Sequence, residues 1–179
     1  MSAKVACHDF AVSLAKSAAQ ADAPWWEPIY KKAFPDFSSM VCVREDGWAQ
    51  RGGIDRVVVL GSGKTVTVDE KVRERDWPDI LWEYLSDRDR NAPGWCAQAL
   101  ACDYIAYAFV PSQRCYLFPA LQVRRAWLDR GTEWVMRAKN NDDGYRIVDA
   151  DNGRYVTRSV AVPLRESMAA VRDALCVRW

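Results

Sequence analysis

The sequence predicts an α/β fold: a mixed central sheet flanked by helices, followed by a C-terminal β-hairpin and helix. Three observations lead there. Residues 50–73 hold two β-branched runs, Val57-Val58-Val59-Leu60 and Thr65-Val66-Thr67-Val68, around Gly61-Ser62-Gly63, which is a hairpin signal. Segments of helical and strand period alternate in the order helix, three or four strands, helix, two strands, helix. Further on, Asn152-Gly153 separates two more apolar runs, and Asn-Gly is the strongest short turn pair. A length of 179 residues suits one domain, 1–179, with a core at about 25–130 and an appendage at 131–179.

In chain order, residues 5–20 read as an amphipathic helix whose stripe is Val5, Phe10, Val12, Leu14 and alanines, broken by Asp22-Ala23-Pro24. Residues 25–34 form a second helix, with Glu27 in its first turn. Phe37 to Trp48 reads as a strand, and Asp55 opens the next after Gln50 and the pair Gly52-Gly53. Beyond the glycine turn comes a strand through Arg73. Asp79 to Leu85 is another strand, Pro93 to about Cys102 a helix, and 103–110 with 114–118 a hairpin. Pro119 to about Asp129 is a helix, Trp134 to Ala138 a strand, 145–150 and 155–162 a hairpin, and Leu164 to Val177 a final helix.

The charges of the first hairpin are the informative part. Side chains alternate along a strand, so Thr67, Asp69, Lys71 and Arg73 share one face, and Val66, Val68, Glu70 and Val72 the other. Charges tolerate burial only when paired or bound to a metal. Two nearby carboxylates repel, and a hard divalent cation relieves that repulsion. Magnesium takes about six oxygen ligands near ~2.1 Å and keeps several waters. Such an ion activates water and offsets charge on a scissile phosphate, and a lysine beside it is a compact point charge.

An acid at Asp55 followed by Asp69-Glu70-Lys71 resembles the PD-(D/E)XK nuclease superfamily, whose motif is an acid on one strand and acid-x-lysine on the next. Here Gly53-Ile54-Asp55 stands where Pro-Asp is common. The predicted element order also resembles the αβββαβ core of the restriction-endonuclease-like fold, and the chain is similar to phage- and prophage-type proteins with the same Gly-Ile-Asp and Glu-Lys-x-Arg pattern. The resemblance implies a magnesium- or manganese-dependent DNA nuclease, with RNA as an alternative to DNA; an endonuclease is taken before an exonuclease on base rate alone. It implies that Asp55, Asp69 and the Glu70 backbone carbonyl hold the metal, and that Lys71 orients water and offsets phosphate charge. It also places Glu27, on the N-terminal helix, and Gln50 near the metal. Arg51, Arg56, Arg73 and Arg75 would contact the nucleic-acid backbone. The competing reading is a nuclease-fold binding or inhibitor protein without catalysis. For Asp55, Asp69 and Lys71 the plain structural alternative is an edge strand guarded by charge.

Composition narrows the classes. The net charge of +1 is low for a nucleic-acid binder, so the basic residues must gather on one face. Six scattered cysteines with no Cys-x-x-Cys pair, and His8 as the single histidine, argue against zinc and for a reducing, cytoplasmic setting. No apolar run of about twenty residues predicts a membrane span, and the start has no signal-peptide core. Nine tryptophans supply core first, a partner surface or a base-stacking platform second. A second copy of the chain is a candidate partner.

Overall fold

The structure, a computed structural model, describes Gln20 and residues 22–179. The expected helix over 5–20 lies, but for Gln20, outside those residues. In chain order the elements are α1 (Trp26–Ala33), β1 (Phe37–Cys42), α2 (Gly47–Arg51), β2 (Arg56–Leu60), β3 (Thr65–Arg73), β4 (Asp79–Asp87), β5 (Ala92–Pro93), β6 (Tyr104–Phe109), β7 (Arg114–Pro119), α3 (Ala120–Lys139), β8 (Arg146–Asp151), β9 (Val156–Pro163), α4 (Leu164–Ala170) and β10 (Leu175–Arg178). The chain divides into two compact units. One takes the described residues up to Trp77, with Leu100–Val123 and Met168–Trp179; the other takes Pro78–Ala99 and Arg124–Ser167. The expected appendage, 131–179, is thus shared between them.

The first unit holds a six-stranded sheet in the order β1-β2-β3-β6-β7-β10. It is mixed: β3 and β6 run parallel, and the other neighbours are antiparallel. Gly63, at φ +81°, makes the β2–β3 turn that an L side chain would strain. Helix α1 buries Trp26, Ile29 and Tyr30, at spacings of three and four that put them on one face. They join Val58, Val68, Ala106, Ala108, Cys115 and Leu117 in one core. Fully burying a side chain of this size is worth roughly 1.5–3 kcal/mol, and α1 brings three.

The second unit is a four-stranded antiparallel sheet, β5-β4-β9-β8. Trp82 on β4 lies against Trp95 and Trp134, with ring centroids 5.8 and 4.7 Å away. Its indole N–H donates to Ser167 Oγ at 3.0 Å, which satisfies a fully buried donor. Arg158 on β9 grips Asp149 on β8 through two nitrogens, each at 2.7 Å.

Four expected elements differ. The first strand ends at Cys42, because Asp46 caps α2 by accepting from the Trp48 and Ala49 amides. The expected helix over 93–102 is a single turn: the Gly94 amide donates to Tyr84, and a Cβ at 94 would stand 2.4 Å from the Glu83 carbonyl oxygen. Residues 134–138 continue α3 rather than forming a strand, since Val123, Ala126, Trp134 and Ala138 are buried at helical spacing. Helix α4 stops at Ala170, and Asp173, at φ +58°, turns the chain into β10 beside β7. The αβββαβ order is altered accordingly. Between β3 and its parallel neighbour β6 the chain passes through β4, β5 and a turn, with no helix. No helix among the described residues is long and apolar enough to cross a membrane.

Candidate functional site

The β2–β3 register builds the site. Arg56 pairs with Val68, so one step further Asp55 falls opposite Asp69. Asp55 extends the ladder by donating its amide to the Val68 carbonyl and accepting from the Val43 amide, both at 2.9 Å. Directly opposed residues on neighbouring strands share a face, and like charges there repel. Lys71, two residues along β3, is on that same face and donates to Asp69 Oδ1 at 2.7 Å. The structure therefore brings Asp55, Asp69 and Lys71 together.

Burial pushes the Asp69 carboxyl above its ordinary pKa, Lys71 pulls it down, and the Asp55 carboxylate in hydrogen-bonding range raises it again. The Asp69 side chain is only 5% exposed, whereas Lys71 is 33% and Asp55 21% exposed, so the lysine and Asp55 form the open side. Cys102 lies close by. Burial and then the Asp69 charge push its thiol up to about 12, so it stays protonated.

Gly52 and Gly53 admit the approach to Asp55. Gly53 has φ +67°, and a Cβ there would stand 2.8 Å from Leu100 Cδ2; one at Gly52 would be 3.1 Å from Ala101 Cβ. The pair thus packs against the segment leading into β6, and the Ala101 amide donates to the Gly52 carbonyl at 2.8 Å.

The other face of β3 carries Glu70, whose side chain is fully buried. Arg56 sits diagonally across the strand pair and meets it twice, Nε to Oε1 at 2.5 Å and Nη2 to Oε2 at 3.2 Å. Tyr30 of α1 donates to Oε1 at 2.7 Å. Burial, then Glu70, raise the Tyr30 phenol above its ordinary pKa. Arg44 joins the faces: its Nη2 is 3.2 Å from Glu70 Oε2 and its Nε 3.3 Å from Asp55 Oδ1. The remaining oxygen of Asp55, Oδ2, accepts from the Glu70 amide at 2.7 Å. Three carboxylates, Asp55, Asp69 and Glu70, thus face three cations, Arg44, Arg56 and Lys71.

The other sequence-predicted residues take other roles. Glu27 takes its simpler alternative, a first-turn acid 51% exposed and paired with Lys31 at 2.6 Å. Gln50 is exposed on α2. Arg56 is 4% exposed and spent on Glu70, which corrects its assignment to a nucleic-acid backbone. Arg73 donates to the Tyr107 hydroxyl at 3.3 Å, and Arg75 is exposed. Arg51 is exposed and stacks 4.8 Å over the ring of Trp48, itself 80% exposed. Sequence reasoning missed Arg44, which looks like part of a turn. It also missed Tyr30, although a hydroxyl on a buried helical stripe signals a partner.

Among the described residues, no group of three or more His, Cys, Asp or Glu side chains is arranged to hold a metal ion. Two opposed carboxylates, one with its pKa raised by burial first and by the other's charge in addition, are still a pair of oxygen donors of the kind a hard cation takes. No family model, curated protein or solved structure matches the chain.

Proposed function

We propose that the chain is a metal-dependent nuclease cleaving phosphodiester bonds in DNA, as an endonuclease, on a variant of the restriction-endonuclease-like scaffold. The observation that carries this reading is the convergence of Asp55, Asp69 and Lys71 on one face of the β2–β3 pair. Asp55, Asp69 and the Glu70 carbonyl would hold magnesium or manganese, whose contribution when bound is Lewis-acid stabilisation of the phosphate. Lys71, anchored on Asp69 and a third exposed, is placed to meet a phosphate oxygen or hold a water by hydrogen bonding. Arg51 with Trp48 offers a cation and an aromatic face to a nucleic acid.

A second reading is favoured by Arg44. With Arg44, Arg56 and Lys71 in place the carboxylates are already matched in charge, which suits a scaffold that binds a partner without catalysis. The test is degradation of plasmid and oligonucleotide substrates with magnesium, manganese or EDTA, comparing wild type with Asp69→Ala and Lys71→Ala. Metal-dependent cutting lost in both variants supports the nuclease. Failure to cut DNA or RNA under any of these conditions overturns it.

A further inference from the structure

We propose that Arg44 is a built-in counter-ion of Asp55, which a divalent cation must displace before it can occupy the carboxylate pair. The inference rests on the metal-site reading above and deepens it. Asp55 has two oxygens, and each has a partner: Oδ2 takes the Glu70 amide, and Oδ1 faces the Arg44 Nε at 3.3 Å. The first contact belongs to the backbone of β3 and cannot be given up without disturbing the strand. The second belongs to a side chain that is 21% exposed and so not sealed in the core. Glu70, the other anchor of Arg44, keeps Arg56 and Tyr30 when the guanidinium leaves. Of the two guanidinium groups on Glu70, Arg44 is therefore the one that can leave with the carboxylate still paired. A guanidinium and a divalent ion compete for the same negative charge, and repel each other if both stay. Once displaced, the guanidinium remains beside the site as a fork matched to phosphate. Arg44 is on this account a positioning residue.

The experiment uses the full chain without nucleic acid and reads manganese binding by the electron paramagnetic resonance of free Mn²⁺. Wild type, Arg44→Gln, Arg44→Lys and Asp55→Asn are compared after thermal melts establish that each is folded. The expected result is binding about fivefold or more tighter in Arg44→Gln, because a unit positive charge has gone. Arg44→Lys, which keeps the charge, stays close to wild type, and Asp55→Asn loses binding. A second measurement on wild type guards against a misfolded variant. The Arg44 Nε–Hε nuclear magnetic resonance signal, assigned by its loss in Arg44→Lys, shifts on titration with magnesium. Equal manganese affinity in wild type and Arg44→Gln, with binding lost in Asp55→Asn, overturns the role of Arg44 and leaves the metal site standing. A stationary Arg44 signal while magnesium binds does the same. Absence of binding in all four proteins overturns the metal site and this inference together.

Discussion

The Tyr30 hydroxyl donates to Glu70 Oε1 at 2.7 Å across forty positions of sequence, so the first described helix is fastened to the floor of the candidate site by a buried, charge-assisted hydrogen bond. Removing either end has a different cost. Tyr30→Phe leaves Glu70 still held by Arg56 and should lower the unfolding free energy by roughly 1–3 kcal/mol. Glu70→Ala strands the buried Arg56 guanidinium and should cost about 3–5 kcal/mol. Urea denaturation measures both, and equal losses would contradict the arrangement.

Lys71 is a third exposed and bonded to the buried Asp69 carboxylate, so its substitution is read in cutting and in stability side by side. Lys71→Met strips the buried Asp69 carboxylate of its hydrogen-bond donor and should lower the unfolding free energy by roughly 1–3 kcal/mol, which urea denaturation reads separately from cutting. Cleavage should fall by about a hundredfold or more, the usual scale for a lost proton-transfer or charge-stabilising group. Single-turnover assays at saturating manganese give the ratio.

Trp48→Ala tests the exposed ring. Base stacking on an aromatic side chain is worth about 1–3 kcal/mol per base, so affinity for a labelled single-stranded oligonucleotide should drop to match. Anisotropy titrations in EDTA read binding apart from cutting. The thermal melt should not move, because the side chain is 80% exposed.

The cysteines among the described residues divide by burial. Cys42 and Cys176 are exposed, while Cys96, Cys102 and Cys115 are buried with thiols pushed upward, chiefly by desolvation. Maleimide labelling of the native protein, mapped by peptide mass, should mark Cys42 and Cys176 within minutes. The three buried thiols should label only in denaturant. Early labelling of Cys102 would mean that the wall behind Asp69 opens.

On β8, the hydrogen bonds from Arg158 hold the Asp149 carboxyl below its ordinary value of 3.8. A carboxyl depressed in the folded state contributes stability above its unfolded pKa and loses it as the pH falls toward the folded value. Stability should therefore decline below about pH 4 more steeply in wild type than in Asp149→Asn. Urea midpoints measured from pH 6 to pH 2.5 give the two slopes.

The strands with strong local signals were legible in the sequence. Thr65–Arg73 and the Asn152-Gly153 hairpin follow from alternation and from turn residues, both local properties. Asp55, Asp69 and Lys71 were legible as a group because the register of a tight hairpin sets which residues oppose each other. The elements that differ were decided at a distance. The Gly94 amide is committed to the Tyr84 carbonyl of β4, and β10 pairs along the edge that β7 offers. Glu27 and Tyr30 sit on one short helix, and only the packing of Trp26 and Ile29 decides that the tyrosine, not the glutamate, turns inward. Arg44 carried no local signal, since its partners are brought to it by the strand register.

The polypeptide passes from one compact unit to the other at 77/78, 99/100, 123/124 and 167/168. Neither half can then be excised as a continuous fragment. A clone ending after Trp77 carries β3 without its parallel neighbour β6, and one beginning at Pro78 carries β6 without β3. Dissecting the two by expression would require rejoining severed ends with new linkers, and a protease nick at Trp77 would leave the second fragment carrying parts of both units.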